Sequence, residues 1–244
     1  MTADPQNNPF IKNLASSDKE VRDQALDSLR TYLSAQRQIG ELDLLKLWKG
    51  LFYCLWMQDK PALQQRLGRD LAGLVNILNT SVVVPFLDAF WTTIAREWGR
   101  IEALRMDKYL YLIRQVLNAS WKFLAKKKWG NTEAVEGYVQ ALEKSPLNVK
   151  DAKIPNGLRY HVLDIYVDEL EKVAGEEIED VPLETLLEPV RKLRKESMVK
   201  AVREAAKECL EDERVKKWRG EEDEKDGDEE MVDDEEEEWG GIED

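Results

Sequence analysis

The chain has 244 residues, 43% hydrophobic and 35% charged, with a formal net charge of -13 that is unevenly placed. Residues 221–244 hold sixteen carboxylates against one base, Lys225, and sum to -15; the rest, with 33 acids and 35 bases, is nearly neutral. A body of that size buries a substantial core, or a run of smaller stacked ones, without cross-links. Two distant cysteines, Cys54 and Cys209, exclude a disulfide framework and point to a reducing compartment. The most apolar stretch, 42–57, is interrupted by Asp43, Lys46 and Lys49 and is too short for a membrane span. The expectation is a soluble intracellular protein with no membrane partner, and the acidic balance does not exclude nucleic acid.

Residues 1–8 are expected to be disordered, 9–218 to form one all-helical domain, and 219–244 to be an acidic low-complexity tail. Ser17-Asp-Lys-Glu20 is a capping-box pattern, after which Val21, Ala25, Leu29 and Leu33 line one face of a helix to about Gln36. Apolar spacing of three and four predicts further helices over 41–57, 61–79, 84–98, 106–128, 132–144, 158–174, 183–195 and 198–212. Extended pieces are expected only near Pro146 and Pro155. The segment Lys19–Leu29 repeats in Lys200–Leu210, with Lys, Val, Arg, Ala and Leu coinciding. Val-Arg-x-x-Ala-x-x-x-Leu at a helix start resembles the second helix of a HEAT-type repeat. The predicted fold is all-α, a HEAT-like helical-repeat solenoid of antiparallel helix pairs with a disordered acidic C-terminal tail. Two ordinary amphipathic helices sharing common residues remain the alternative.

Catalytic parts are scarce. The one histidine, His161, falls between apolar helix positions and reads as a packing or surface residue. One histidine and two distant cysteines are too few for a structural zinc site. Gly68-Arg-Asp-Leu-Ala-Gly73 has the glycine spacing of a phosphate loop, but Leu74-Val75 stand in place of the lysine and hydroxyl. Asp164 and Asp168, four apart, read as a solvated face, and Glu222 to Asp233 only approximates a calcium-binding loop. No catalytic residue, metal ligand, cofactor or small-molecule substrate is predicted.

The helix predicted over 106–128 carries apolar residues over half its circumference, as a central element does. Its other arc holds Lys108, Arg114, Lys122 and Lys126, with Lys127 and Lys128 following and Arg96, Arg100 and Arg105 preceding. Such a strip suits phosphate contact, because each neutralised phosphate releases counterions. It equally suits a plain solvated face. A second basic cluster, Arg191 to Arg203, is interspersed with glutamates.

Leu44-Leu-Lys-Leu-Trp-Lys-Gly-Leu-Phe-Tyr-Cys-Leu-Trp-Met-Gln-Asp-Lys-Pro61 resembles the signature of the eukaryotic nucleolar ribosomal-RNA-processing protein one family, which includes the fifty-two-kilodalton nucleolar antigen. Phe90–Trp98 with Ile101–Arg114, and then Pro155–Leu170, are similar to its later blocks in the same order. The resemblance spans most of residues 9–212. It implies a non-enzymatic assembly factor of the large (60S) ribosomal subunit, in the nucleolus of the nucleus, needed for pre-rRNA processing. The implied partners are pre-rRNA and large-subunit assembly factors, a Brix-domain and a WD-repeat protein among them. An acidic ending, in place of the basic C-terminal region of longer animal members, fits a compact fungal-type member.

Trp48, Phe52 and Trp56 at four-residue spacing read as core. Lys49, Tyr53, Gln58, Asp59 and Lys60 would then cluster at its rim as protein-interface candidates, with Trp98 a further one. The first reading is a helical scaffold holding partner proteins on broad faces and pre-rRNA on basic edges. The alternatives are an acidic chaperone for basic ribosomal proteins and a metal-dependent processing nuclease.

Overall fold

Eleven helices carry the chain through the residues that the computed structural model describes, 13, 16, 18–175 and 178–221. They are α1 (Lys19–Ala35), α2 (Glu41–Trp56), α3 (Pro61–Gly73), α4 (Thr80–Glu97), α5 (Ala103–Leu124), α6 (Thr132–Lys144), α7 (Asn156–Ala174), α8 (Leu183–Leu186), α9 (Glu188–Glu196), α10 (Lys200–Leu210) and α11 (Glu213–Trp218). Short 3-10 turns, Leu74–Asn76 and Trp98–Arg100, follow α3 and α4. There is no strand among the described residues. The all-helical expectation holds, and the helices pack in pairs.

Element ends differ from the sequence expectation where local chemistry intervenes. Asp18 caps α1, its carboxylate accepting from the backbone N–H groups of Glu20 and Val21; Ser17 lies outside the described residues. Pro85 points to a start at 84, yet α4 begins at Thr80 and carries Pro85 inside it, forgoing one bond to the Ser81 carbonyl. Leu187 and Pro189 divide the helix expected over 183–195 into α8 and α9. Asp212 accepts from the Arg214 backbone N–H and starts a separate α11. The acidic segment 222–244 and residues 1–8 lie outside the described residues.

Cross-contacts give the direction of each helix. Arg30 of α1 meets Asp70 of α3 at 3.0 Å while Arg22, lower on α1, faces Gln58 just before α3. The α5 contacts advance in the same sense: Lys108 bonds the Gln58 carbonyl, and Tyr111 accepts from Arg69. Gly68 lets the two helices approach there, since a Cβ would lie 3.1 Å from the Tyr111 ring and push it aside. Leu110 and Arg114 of α5 then meet His161 and Asp168 of α7. Thus α1, α3, α5 and α7 run parallel in one layer, and α10 continues it beside α7. The second layer holds α2, α4 and α6, with Trp48 against Phe86 and Phe90, and Val84 and Asp88 against Gly137 and Lys144. Short turns connecting the two layers give the order that stacked helical hairpins produce.

The two similar helices, α1 and α10, lie at opposite ends of the first layer and start in the same way. Ser16 Oγ accepts from the Asp18 N–H, and Ser197 Oγ from the Val199 N–H. Arg22 donates to the Ser16 carbonyl at 2.5 Å, and Arg203 to the Ser197 carbonyl at 2.7 Å. The equivalence therefore extends to a serine that lies outside the matched segments.

One continuous core runs from Ala25 to Val215. Aromatic rings link helices through it, Trp48 of α2 to Phe90 of α4, and Trp121 of α5 to both Tyr138 of α6 and Tyr166 of α7, while Trp91 packs on Phe90 within α4. Each ring sits with an edge or tilted face against its neighbour, which suits aromatic quadrupoles. Trp48 is buried and donates its indole N–H to the Phe86 carbonyl at 2.8 Å. Trp48→Ala is expected to lower the unfolding free energy by about 3–5 kcal/mol. Trp48→Phe keeps most ring packing but loses the hydrogen bond, costing about 1 kcal/mol plus the smaller ring. Chemical denaturation of both variants measures the difference.

Candidate functional site

The basic strip expected along α5 comes apart in space. Arg96 and Arg100 both pair with Glu97, at 3.0 and 3.1 Å, and that carboxylate is only 2% exposed. Arg105 pairs with Glu102 and lies over the Trp56 ring, 4.9 Å from its centroid. Arg114 bridges to α7 through Asp168 at 3.3 Å and Glu169 at 2.9 Å. Arg96 and Arg100 are exposed themselves but tied locally to one buried carboxylate at the end of α4, Arg105 is half-buried beside an exposed carboxylate, and Arg114 is the one of the four whose ion pairs join two helices.

Lys108 departs furthest from the expectation. It is 6% exposed, and its ammonium donates to the carbonyls of Trp56 at 2.8 Å and Gln58 at 2.9 Å. A phosphate cannot approach an amine used this way. Burial, reinforced by nearby Arg105, brings its pKa down from 10.5 to about 8, with Asp59 opposing.

Gln58, expected at an interface rim, is buried as well. Its carbonyl accepts from Lys108 and from Gln64 Nε2 at 2.9 Å. With the side-chain amide oxygen turned toward Arg22, the guanidinium Nε and terminal nitrogen lie 3.0 and 2.9 Å away. The turn 57–60 is thus tied to α1, α3 and α5 through one residue. Trp48 and Phe52 of the signature are core, Tyr53 and Trp56 are partly buried, and Lys49, Asp59 and Lys60 are exposed. Trp98 is also half-buried, its indole lying against the start of α7, where a Cβ on Gly157 would stand 3.3 Å from the ring. That contact explains the glycine in Pro155-Asn-Gly157.

What remains of the strip is a smaller patch at the far end of α5. Lys122, Lys126 and Lys127 are exposed and have no carboxylate partner among the described residues, while Lys128 pairs with Asp180 at 3.0 Å. Lys126 lies 5.7 Å from the centre of the Phe123 ring. Residues 127–129 then take three consecutive left-handed conformations, with φ of 56°, 56° and 59°. Such backbone costs about 1–2 kcal/mol per residue outside glycine. Buried Trp129 and a bond from the Gly130 N–H to the Lys127 carbonyl hold it. The turn leads directly into α6, capped by Asn131. Lys126, Lys127 and the first turn of α6 line a depression of about 380 Å³ with Thr80 and Phe123. Lysines beside a helix N-terminus make a surface favourable to anions.

In the second basic cluster three cations are half-buried and partnered: Arg191 pairs with Glu184 and Glu188, Lys192 with Glu143, and Arg203 with its serine carbonyl. Arg194, Lys195, Lys216 and Arg219 instead line a depression of about 770 Å³ at the C-terminal end of the described chain, with Glu211 and Glu221. His161 is half-buried, with Nε2 3.0 Å from the Leu110 carbonyl, and burial lowers its pKa. Cys54 and Cys209 are buried free thiols, pushed up by burial to about 11 and 12. Among the described residues no three His, Cys, Asp or Glu side chains are placed to hold a metal ion, and no helix is long and apolar enough to cross a membrane.

Fold and site together define an all-helical protein of stacked helix pairs, some of its cations serving as ties between elements and others, Lys122, Lys126 and Lys127 among them, standing exposed without a carboxylate partner among the described residues. The chain matches the family model described as nucleolar protein, Nop52, over residues 5–243, and it belongs to that family. It is 44% identical over 175 residues to ribosomal RNA processing protein 1 homolog B of Homo sapiens, an alignment covering 69% of this chain and 23% of that protein. It is 42% identical to homolog A of Homo sapiens, covering 69% and 38%, and 30% identical to the Drosophila melanogaster homolog, covering 74% and 27%. The chain spans well under half the length of these curated relatives.

Lys108→Met is expected to cost about 1–3 kcal/mol, because two turn carbonyls lose their buried donor. A lysine whose folded pKa lies below its unfolded value releases its proton earlier in the folded state. Its contribution to stability therefore rises with pH between about 8 and 10.5. The deficit of the variant relative to wild type should widen over that range, as measured by urea unfolding at pH 7, 9 and 10.

Proposed function

We propose that this chain is a nucleolar, non-enzymatic factor of ribosome biogenesis that holds partner proteins and pre-rRNA together in precursors of the large subunit. Membership of a nucleolar family, with relatives named for ribosomal RNA processing, supports the general role. The observation within the molecule that carries the RNA part is the patch of Lys122, Lys126 and Lys127, exposed and without carboxylate partners among the described residues. The partners in this reading are large-subunit assembly factors, of which the resemblance implies a Brix-domain and a WD-repeat protein. The folding unit is 9–218.

Three lysines with no base-reading pattern give affinity without sequence preference. Lys122→Glu/Lys126→Glu/Lys127→Glu should weaken binding to single-stranded RNA and lower the slope of log affinity against log salt by about 2. Reversal of Arg96 and Arg100 should leave RNA binding unchanged and lower stability, since Glu97 is then buried without a counter-charge. Equal RNA loss in both variants would refute the division of the strip. Lys127→Gly separates the two properties in one residue: RNA affinity should fall while stability rises by about 1 kcal/mol, because glycine accepts the left-handed conformation.

The segment 222–244 carries fifteen carboxylates and one lysine, and it departs from Glu221 at the lip of the depression formed by Arg194, Lys195, Lys216 and Arg219. In this reading it competes with nonspecific RNA for the body's cations. A chain ending at Gly220 should remain folded and bind generic RNA more tightly at low salt, with the two proteins converging at high salt. Superimposable titrations at both salt concentrations would leave the segment a role in solubility alone.

A further inference from the structure

The first layer ends in an open groove between α7 and α10, about 970 Å³ in volume. Its floor is apolar and shallow: Leu163 and Val167 from α7 meet Ala201 and Ala205 from α10, the alanines leaving room where a larger side chain would close the gap. Along the rim stand Asp164, Glu204 and Glu208, all exposed and none with a cationic partner among the described residues. Asp212 at the far end is different, since Arg214 holds it at 2.7 Å. At the near end, where both helices begin, Tyr160 is partly exposed, and Met198 and Val199 are exposed just before α10. Lys200 is the one cation of the rim.

An apolar floor between two parallel helices has the shape that receives a third helix laid along it. From Lys200 to Asp212 the groove is about 18 Å long, or about three turns. Its charge selects the occupant. Three unpaired carboxylates repel a phosphate backbone and attract lysine or arginine flanking an apolar seam. Elsewhere on the protein exposed carboxylates are commonly neutralised, as Asp168 and Glu171 are by Arg214 a turn or two along α7.

We infer that the α7–α10 groove is the docking site for a basic amphipathic helix of a partner protein, with small or apolar residues on the alanine floor and lysines or arginines against Asp164, Glu204 and Glu208. Apolar residues at one end of that helix meet Tyr160, Met198 and Val199. The inference rests on the assembly-factor reading, to which it adds the location and chemistry of one protein contact.

The probe is a fluorescent fourteen-residue helical peptide with leucine at i, i+3, i+4 and i+7 and lysine on its flanks, titrated into the full chain. Its counterpart carries glutamate for every lysine. Wild type should bind the lysine peptide at least tenfold more tightly than the glutamate peptide, and a photo-crosslinker at position 201 should capture it. Glu204→Lys/Glu208→Lys, whose surface changes leave the core intact, should lose at least tenfold with an unchanged unfolding curve. Ala205→Arg, which fills the floor, should also lose binding, whereas Ala205→Ser should retain it. Absence of binding, equal affinity for both peptides, or equal affinity of the reversed variant would overturn the inference. Co-sedimentation with purified precursor particles separates it from the reading beneath. Wild type absent from the particles would count against the assembly role. A reversed variant that enters them with the same crosslinks from position 201 would sink only the groove.

Discussion

Helices α3, α5 and α7 of the first layer begin where the chain has just turned back from the second, α1 and α10 follow turns at Ser16 and Ser197, and the carbonyls of these turns have no helical ladder to receive them. The structure satisfies them from one turn inside the following helix. Arg22, Gln64, Arg159 and Arg203 are each the fourth residue of their helix, and each donates to a carbonyl five or six residues upstream. Arg159 extends the device, adding the carbonyls of Asn148 and Asp151 and so fixing the loop between α6 and α7. In α5 the fourth position is Met106, and Lys108 reaches Trp56 and Gln58 instead. Tight turns are what keep the two layers in register, so the packing of the rings between them depends on these donors.

That requirement explains why several of the cations grouped by the sequence, Lys108, Arg114 and Arg203 among them, are structural ties. A guanidinium has five donors and remains charged under all relevant conditions, which fits it to several carbonyls at once or to a buried carboxylate shared between helices. Arg114 between Asp168 and Glu169, and Arg214 among Asp168, Glu171 and Asp212, are the same solution applied across the layer. Lysines, with a strongly hydrated point charge, remain outside at 122, 126 and 127. Buried donors left without acceptors are few; the Trp121 indole, between the Tyr138 and Tyr166 rings, is one.

Periodicity made the helical class legible, because a stripe at three- and four-residue spacing has one structural meaning when it recurs nine times. It also placed Trp48 and Phe52 in the core. The division of the basic strip was not legible, because Lys108 and Lys122 lie on the same arc of a helical wheel and differ only in what approaches them. Lys108 meets the 57–60 turn, fifty residues away in sequence; Lys122 meets solvent. Gln58 was misplaced for the same reason, its polar side chain being matched by Arg22 from another helix. A usable signal was present in the arginine of Val21-Arg22 and Val202-Arg203, whose shared position four marks a structural tie rather than a contact surface.

Once the ties are removed from consideration, the remaining surface sorts by charge along the helix axes. The first layer's helices are parallel, so their dipoles add in the same sense, with carbonyl ends gathered at one edge of the layer. Lys122, Lys126 and Lys127 occupy the carbonyl end of α5, where the cations are favoured, and the neighbouring start of α6 contributes unpaired N–H groups to the same place. The carboxylates of the α7–α10 groove instead lie along the sides of two helices, away from either end, with an apolar floor between them. An RNA strand and a basic helix would therefore meet different parts of one rigid layer and would not compete for the same atoms. What couples the two is the α5–α7 contact, through Arg114 to Asp168 and His161 to Leu110, which fixes the position of one surface relative to the other.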